Sequence, residues 1–394
     1  MRGQRARPSL KDRARAPPVT DASIDMPRAT KRRADDDDDA LAVTTTRRVK
    51  PRAHASLVDD APLASGALRL RRDRRDARET PRTSSLSAPI MALEGGHRAA
   101  ISGVCFSRDG ARLYSCGVDE TTQRWIVGEA SARANDCAMT GAKAAVTGAC
   151  VMMSDEVVVT SDAGGIVRAW DAETGTQVKS YASTRGTCAN DVAAGRGTMV
   201  MSASDDGRAC VWDLRVKKAA AKTYAHAVPQ TAVVMSADGE RAYTGGVDEV
   251  VRVWDARADD RPLMTLKGHT DTITGLALSP CGSYVLSNAM DNTLRMWDTR
   301  AFVEGEREVK SFVGHSHNFE KALLRCAFNS DGTRVCSGSS DSCVYVWEVE
   351  DAKLKYKLPG HKGTVAAVAF SPAENSVIAS GGAEGVIYVG ELDR

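Results

Sequence analysis

The stretch Gly314-His315-Ser316-His317-Asn318-Phe319-Glu320-Lys321 sets two imidazoles one residue apart, with a carboxylate three residues beyond the second. Imidazole nitrogen and carboxylate oxygen are common zinc and iron ligands, and a short loop could aim all three inward. Whether the trio is free to bind a metal depends on what else each residue is for, which the remainder of the chain decides.

From residue 88 onward the chain is periodic. Trp125, Trp170, Trp212, Trp254, Trp297 and Trp347 are 45, 42, 42, 43 and 50 residues apart, and 43 beyond the last stands Gly390. Ten residues before each of these seven positions is a hydroxyl: Ser115, Thr160, Ser202, Thr244, Ser287, Ser337 and Ser380. Six residues before, five of the seven are aspartate (Asp119, Asp206, Asp248, Asp291, Asp341), with Gly164 and Glu384 as departures. Gly-His pairs precede them at His97, His269, His315 and His361. Imidazole, carboxylate, hydroxyl and indole can form one hydrogen-bonded chain within each repeat, so that every buried polar group finds a partner. Ala142 and Thr184 stand where the second and third repeats would carry histidine, which predicts incomplete chains there.

These elements must be strands. Runs such as Val250-Val251-Arg252-Val253-Trp254 are strand-formers, and Ser107-Arg108-Asp109-Gly110 and Ser236-Ala237-Asp238-Gly239 are turn signals at the matching interval. A period near 43 with Gly-His in front and Trp-Asp behind resembles the WD-repeat family, and the resemblance implies an all-β, seven-bladed β-propeller over residues 87–394. Closing the ring requires a strand from the start of the body, and Pro89 to Leu93 is the candidate.

In that frame His315 fills the repeating histidine slot. His315 to Trp347 spans 32 residues against 28 for His269 to Trp297, so this repeat carries about four extra residues and His317 belongs to an enlarged loop. Only His317 and Glu320 then remain as ligands, fewer than a catalytic zinc takes from protein, and neither metal nor cofactor is expected. His317, Asn318, Phe319, Glu320 and Lys321 are instead expected to form a partner-binding loop with an aromatic anchor and a polar rim. The repeated Ser, His and Asp sets occur in most repeats, whereas a catalytic triad would occur once. There is no GxSxG, no P-loop and no dinucleotide turn, so no enzyme is expected.

Composition adds a division. Residues 1–85 hold 21 Lys/Arg against 13 Asp/Glu, a net +8, and the remainder holds 32 against 38, a net −6. The first 86 residues, with the run Asp35 to Asp39 and almost no aromatic side chain, are expected to be a disordered basic tail. Its clusters Lys31-Arg32-Arg33, Arg47 to Arg52 and Arg69 to Arg75 suit nuclear import or weak contact with RNA phosphates. The acidic body argues against phosphate binding as its main task. Ten singly placed cysteines read as buried thiols in a reducing compartment. No apolar run approaches the roughly 20 residues needed to cross a bilayer, which predicts a soluble, non-membrane chain.

Finer words narrow the resemblance. Ser87 to His97, Ser287-Asn288-Ala289-Met290-Asp291-Asn292-Thr293, His317 to Cys326, and Tyr356 to His361 leading to Gly390 are similar to the WD-repeat subunits of the spliceosomal U5 ribonucleoprotein. That likeness implies a nuclear, non-catalytic scaffold in pre-mRNA splicing, a monomeric propeller docked on the large central U5 protein, with U5 RNA touched only indirectly. A second reading rests on Arg215, Arg257 and Arg300, each two residues after a Trp-Asp aspartate. That WDxR pattern is found in substrate receptors of cullin-based ubiquitin ligases, where the arginine contacts the adaptor. It also occurs as ordinary strand-end arginines in propellers of many functions.

Overall fold

The computed structural model describes residues 86, 88 and 90–392, apart from 128–134, 183–185, 217–219 and 258–260. The basic clusters, the aspartate run, Ser87, Pro89 and Thr184 lie outside the described residues. Leu86, assigned to the tail on composition, is 2 % exposed and packs with Met91, Leu93 and Trp125.

The described residues form seven antiparallel sheets of four strands. Six follow chain order from the innermost strand outward, as in Ile101–Phe106, Arg112–Gly117, Thr121–Ile126 and Asn135–Thr140 of the first blade. Each innermost strand packs against the next, and Val365–Phe370 of the last packs against Ile101–Phe106 of the first, so the blades make a closed seven-bladed propeller. The seventh sheet takes its outermost strand from the start of the body. Ile90–Leu93 pairs antiparallel with Ile387–Glu391, Ile90 opposite Gly390 and Leu93 opposite Ile387. The hydrophobic cores lie between blades: Met91, Leu93, Ile101, Trp125, Val377 and Val389 belong to one cluster built from both ends of the ring.

Two local features repeat around the ring. The turn between second and third strands always holds one residue in the left-handed region, at Glu120, Gly165, Gly207, Glu249, Asn292, Ser342 and Gly385, with φ from 62 to 78°. Glycine occupies this conformation freely, whereas glutamate at 120 and 249 does so against a backbone cost of about 1–2 kcal/mol.

The second feature is a β-bulge in the innermost strand, which skips Ser102, Thr147, Asn190, Thr231, Thr274 and Ala366 in the pairing register. A bulge re-aims its extra side chain. Ser102, Thr147, Asn190, Thr231 and Thr274 accordingly donate to carbonyls of the next blade, at Val146, Ala189, Gln230, Ile273 and Leu324. In the sixth blade this place falls to Arg325. Its guanidinium crosses the ring to Asp191 at 3.0 Å, the Asn190 carbonyl at 2.8 Å and the Thr147 carbonyl at 3.4 Å, tying the sixth blade to the third and second. Burial pushes the Asp191 carboxyl up, and Arg325 opposes that.

Because Leu93 is 3 % exposed and sits in the strand that shuts the ring, Leu93→Ala is expected to destabilise the fold by about 2–5 kcal/mol. A lowered urea midpoint would report it; a loss under about 1 kcal/mol would mean that this strand is not needed to hold the ring.

Candidate partner-docking loop

The repeating side chains come together differently from blade to blade. In the first, His97 Nε2 lies 2.7 Å from Ser115 Oγ and Nδ1 3.0 Å from Asp119, while the Trp125 indole donates to the same Ser115 Oγ at 2.8 Å. The fifth repeats this with His269, Ser287, Asp291 and Trp297 at 2.7, 2.9 and 2.8 Å. In the seventh, His361 joins Ser380 at 2.8 Å and Glu384 at 2.5 Å, and Tyr388 packs edge-on against the imidazole in a strand that has no tryptophan. Burial opposes ionisation of Asp291, yet hydrogen bonds from His269 and Thr293 hold its carboxyl well below the usual carboxylate range.

The second, third and fourth blades keep only the indole-to-hydroxyl bond, Trp170 to Thr160, Trp212 to Ser202 and Trp254 to Thr244, each at 2.9 Å. Asp206 accepts from the Arg208 amide and Asp248 pairs with Arg252 instead. The fourth blade does hold an imidazole that the Gly-His pattern overlooks. His226 follows Ala225, stands 28 residues before Trp254 as His97 and His269 do before theirs, and meets that indole edge-on at 5.2 Å. The spacing was the available signal.

The sixth blade corrects the sequence reading. His315, Ser337, Asp341 and Trp347 do not form a chain. His315 Nε2 reaches the Asn288 side chain of the fifth blade at 2.8 Å, the Trp347 indole donates to the Val313 carbonyl at 3.0 Å, and Asp341 is taken by Tyr345 at 2.7 Å and Lys357 at 2.9 Å. Asn288, fully buried, also donates to Ser337 Oγ at 3.1 Å. Its carboxamide bridges the space between imidazole and hydroxyl that a direct bond fills elsewhere, which gives the unusual Ser287-Asn288-Ala289-Met290 stretch a physical reason.

The enlarged loop is pinned to three blades. The His317 amide donates to Asn292 of the fifth blade at 2.6 Å, Ser316 N donates to Ser339 of the sixth at 3.1 Å, and Thr364 of the seventh donates to Glu320 at 3.3 Å. Asn318 closes a turn, its side-chain oxygen accepting from Glu320 N at 3.1 Å and its carbonyl from Lys321 N at 3.2 Å, with Lys321 at φ 53°. Phe319, 92 % exposed, projects from this frame. Glu320 is thus turned to Thr364, and among the described residues no three His, Cys, Asp or Glu side chains gather as a metal-ligand set.

Arg215, Arg257 and Arg300 lie on the opposite face, where third strands lead to fourth. Arg215 donates to Asp213 at 2.8 Å, Arg300 pairs with Asp298, and Arg257 reaches Glu240 at 3.2 Å. Each already has a carboxylate partner within the chain, which accounts for it as a strand-end brace. Phe302, 97 % exposed on that face, carried no repeat signal and was missed by sequence reasoning. All ten cysteines are free thiols, and Cys281 is exposed among them.

Strand order, ring closure and the repeated indole-hydroxyl pairs define a WD-type propeller, and comparison with known proteins agrees. The WD domain, G-beta repeat model matches residues 88–125, 219–255, 260–298, 306–348 and 352–389, passing over most of the second and third blades. The chain belongs to the WD-repeat family. Within it, the chain is 39 % identical over 315 residues to the U5 small nuclear ribonucleoprotein 40 kDa protein of Dictyostelium discoideum, covering 79 % of this chain and 87 % of that one. It is 39 % identical over 314 residues to the Homo sapiens protein of the same name, covering 79 % and 86 %. The pre-mRNA-splicing factor cwf17 of Schizosaccharomyces pombe is 36 % identical over 314 residues, covering 79 % and 90 %.

Two outcomes follow from this geometry. Asp291→Ala strands the buried His269 and is expected to cost about 1–3 kcal/mol in chemical denaturation, whereas Gly164→Ala breaks no such chain. Equal losses would argue against the hydrogen-bonded chain as a stabilising unit.

Burial also pushes His226, His315 and His317 down from 6.5 to about 4, so they are neutral in the fold at pH 7. The unfolded chain takes up these protons below about 6.5 and the folded chain only near 4, so stability should fall as pH drops between those values and level off below. Thermal melts from pH 7 to 4.5 should show the decline, and His317→Gln should shallow it.

Proposed function

We propose that this chain is a non-catalytic scaffold subunit of the U5 small nuclear ribonucleoprotein, acting in pre-mRNA splicing in the nucleus. The observation that carries this reading is the identity of 36–39 % to the U5 40 kDa proteins and cwf17, extending over 86–90 % of their lengths. The propeller's polar side chains support a scaffold rather than an enzyme, because the repeated His, Ser and Asp residues are occupied in holding blades together. The basic clusters of residues 31–33, 47–52 and 69–75 suit nuclear import. The propeller acts as a single copy docked on the large central U5 protein and meets U5 RNA through other proteins.

The face bearing residues 317–321 makes that contact. Phe319 is exposed on a turn already fixed by hydrogen bonds to neighbouring blades, so binding orders little new backbone. A buried aromatic anchor is worth about 2 kcal/mol or more, roughly thirtyfold in affinity.

Affinity purification of the tagged full chain from nuclear extract, with sequencing of recovered RNA, should return U5 RNA and splicing proteins. Changing His317 and Phe319 together to Ala should leave the melting temperature nearly unchanged and lower that recovery. A folded double variant with undiminished recovery would overturn the docking assignment, and recovery without any U5 component would overturn the splicing assignment.

A further inference from the structure

The root of the loop holds two imidazole nitrogens without partners. Asn288 Nδ2 donates to the Leu324 carbonyl at 3.1 Å and to Ser337 Oγ at 3.1 Å, so its other atom, facing His315 Nε2 at 2.8 Å, is the amide oxygen. An amide oxygen only accepts, which places the proton on His315 Nε2 and leaves Nδ1 of that neutral ring a bare acceptor. This Nδ1 is buried and has no hydrogen-bond partner among the described residues, in a residue only 3 % exposed. His317 lies against it, edge-on with ring centroids 5.8 Å apart, and its own buried Nε2 is likewise unpartnered among the described residues. Because the loop is pinned through the His317 backbone amide, the His317 side chain can turn away and uncover His315 without loosening the turn.

Carboxylates lie around these two rings, and the loop itself adds Glu320 and the exposed Lys321. Asp271 and Asp291 act on His317, and Asp291 and Asp341 on His315. Asp291 and Asp341 are already engaged with His269 and Lys357, but Asp271 is exposed, and neither it nor Glu320 has an ion-pair partner among the described residues. An acceptor nitrogen at depth, two carboxylates without ion-pair partners among the described residues and an exposed phenyl ring on the same loop call for a partner that brings N–H donors, positive charge and an apolar side chain, with Lys321 as the one cation of the loop it must pass. RNA phosphate would bring negative charge to Asp271 and Glu320. A zinc ion could use the two nitrogens but would find no third ligand among the described residues.

We infer that this loop receives a basic segment of a protein partner, a Lys or Arg donating to His315 Nδ1 between Asp271 and Glu320 while an adjacent apolar side chain packs on Phe319. The inference rests on the reading of residues 317–321 as a docking surface and names the chemistry of what docks. The basic side chain satisfies the orphaned acceptor, and the carboxylates make the contact sensitive to salt.

The test is selection of a phage-displayed random dodecapeptide library on the purified full chain, followed by fluorescence polarisation with the best synthetic peptide. Selected sequences should place Lys or Arg next to an apolar residue. Phe319→Ala should weaken binding at least tenfold, and Asp271→Asn with Glu320→Gln should do the same at low salt and less at high salt. Peptide binding should also move the Nδ1 resonance of His315 in nitrogen-15 spectra and leave that of His97 in place. Selected peptides without basic residues, affinity unchanged by those variants, zinc retained stoichiometrically through dialysis, or tighter binding of a single-stranded RNA oligonucleotide at this loop would each overturn the inference. If basic peptides bind with these sensitivities while U5 components are not recovered from extract, the surface stands and the splicing assignment falls. Recovery of U5 components by a chain whose loop ignores basic peptides would overturn the basic-segment inference and leave the splicing assignment standing.

Discussion

Four residues of paired backbone, Ile90–Leu93 against Ile387–Glu391, turn a row of seven sheets into a ring. Without that pairing the seventh sheet would keep only three strands, and the core shared by Met91, Leu93, Ile101 and Val389 would lose one wall. Closure also makes every blade a neighbour of two others, so the side chains between blades are confined from both sides. The cost falls on loop-closure entropy, because the pairing joins strands roughly 300 residues apart, and that cost grows only slowly with length.

Inside the ring a second device works at close range. The bulge in six of the seven innermost strands re-aims one side chain, and hydroxyl or amide groups at Ser102, Thr147, Asn190, Thr231 and Thr274 use it to reach a carbonyl of the next blade. Arg325 departs from this belt, and its longer reach converts a neighbour contact into a contact across the ring with Asp191. The sixth blade is therefore unusual twice. Its imidazole leans on Asn288 of the fifth in place of a hydroxyl of its own blade, and it anchors to the third blade through Arg325. A blade supported from outside itself can carry an enlarged loop, because the loop's position no longer depends on a hydrogen-bonded chain within that blade.

Rigidity and exposure coexist in that loop for the same reason. Backbone amides bonded to Asn292 and Ser339, and the Glu320 carboxylate bonded to Thr364, hold it from three blades, and Phe319 is left exposed. The opposite face distributes its exposed groups differently. Its arginines at 215, 257 and 300 each lean on a nearby carboxylate while staying exposed to solvent.

Much of this was legible in the residues. The tryptophan interval, the hydroxyl ten residues earlier and the turn signals are local and periodic, so they fixed strand type, blade number and the need for a closing strand. The complete chains at His97 and His269 could be read the same way, because all four members recur at constant spacing. What failed was whatever depended on another blade. Asn288 finds its partner in His315, 27 residues on, and Arg325 finds Asp191, 134 residues away, and no repeat spacing relates either pair. Spacing within a repeat determines which groups share a sheet. Only closure of the ring decides which groups face each other across its seams and its centre, because those distances are set by the packing of blades and not by the covalent path between them.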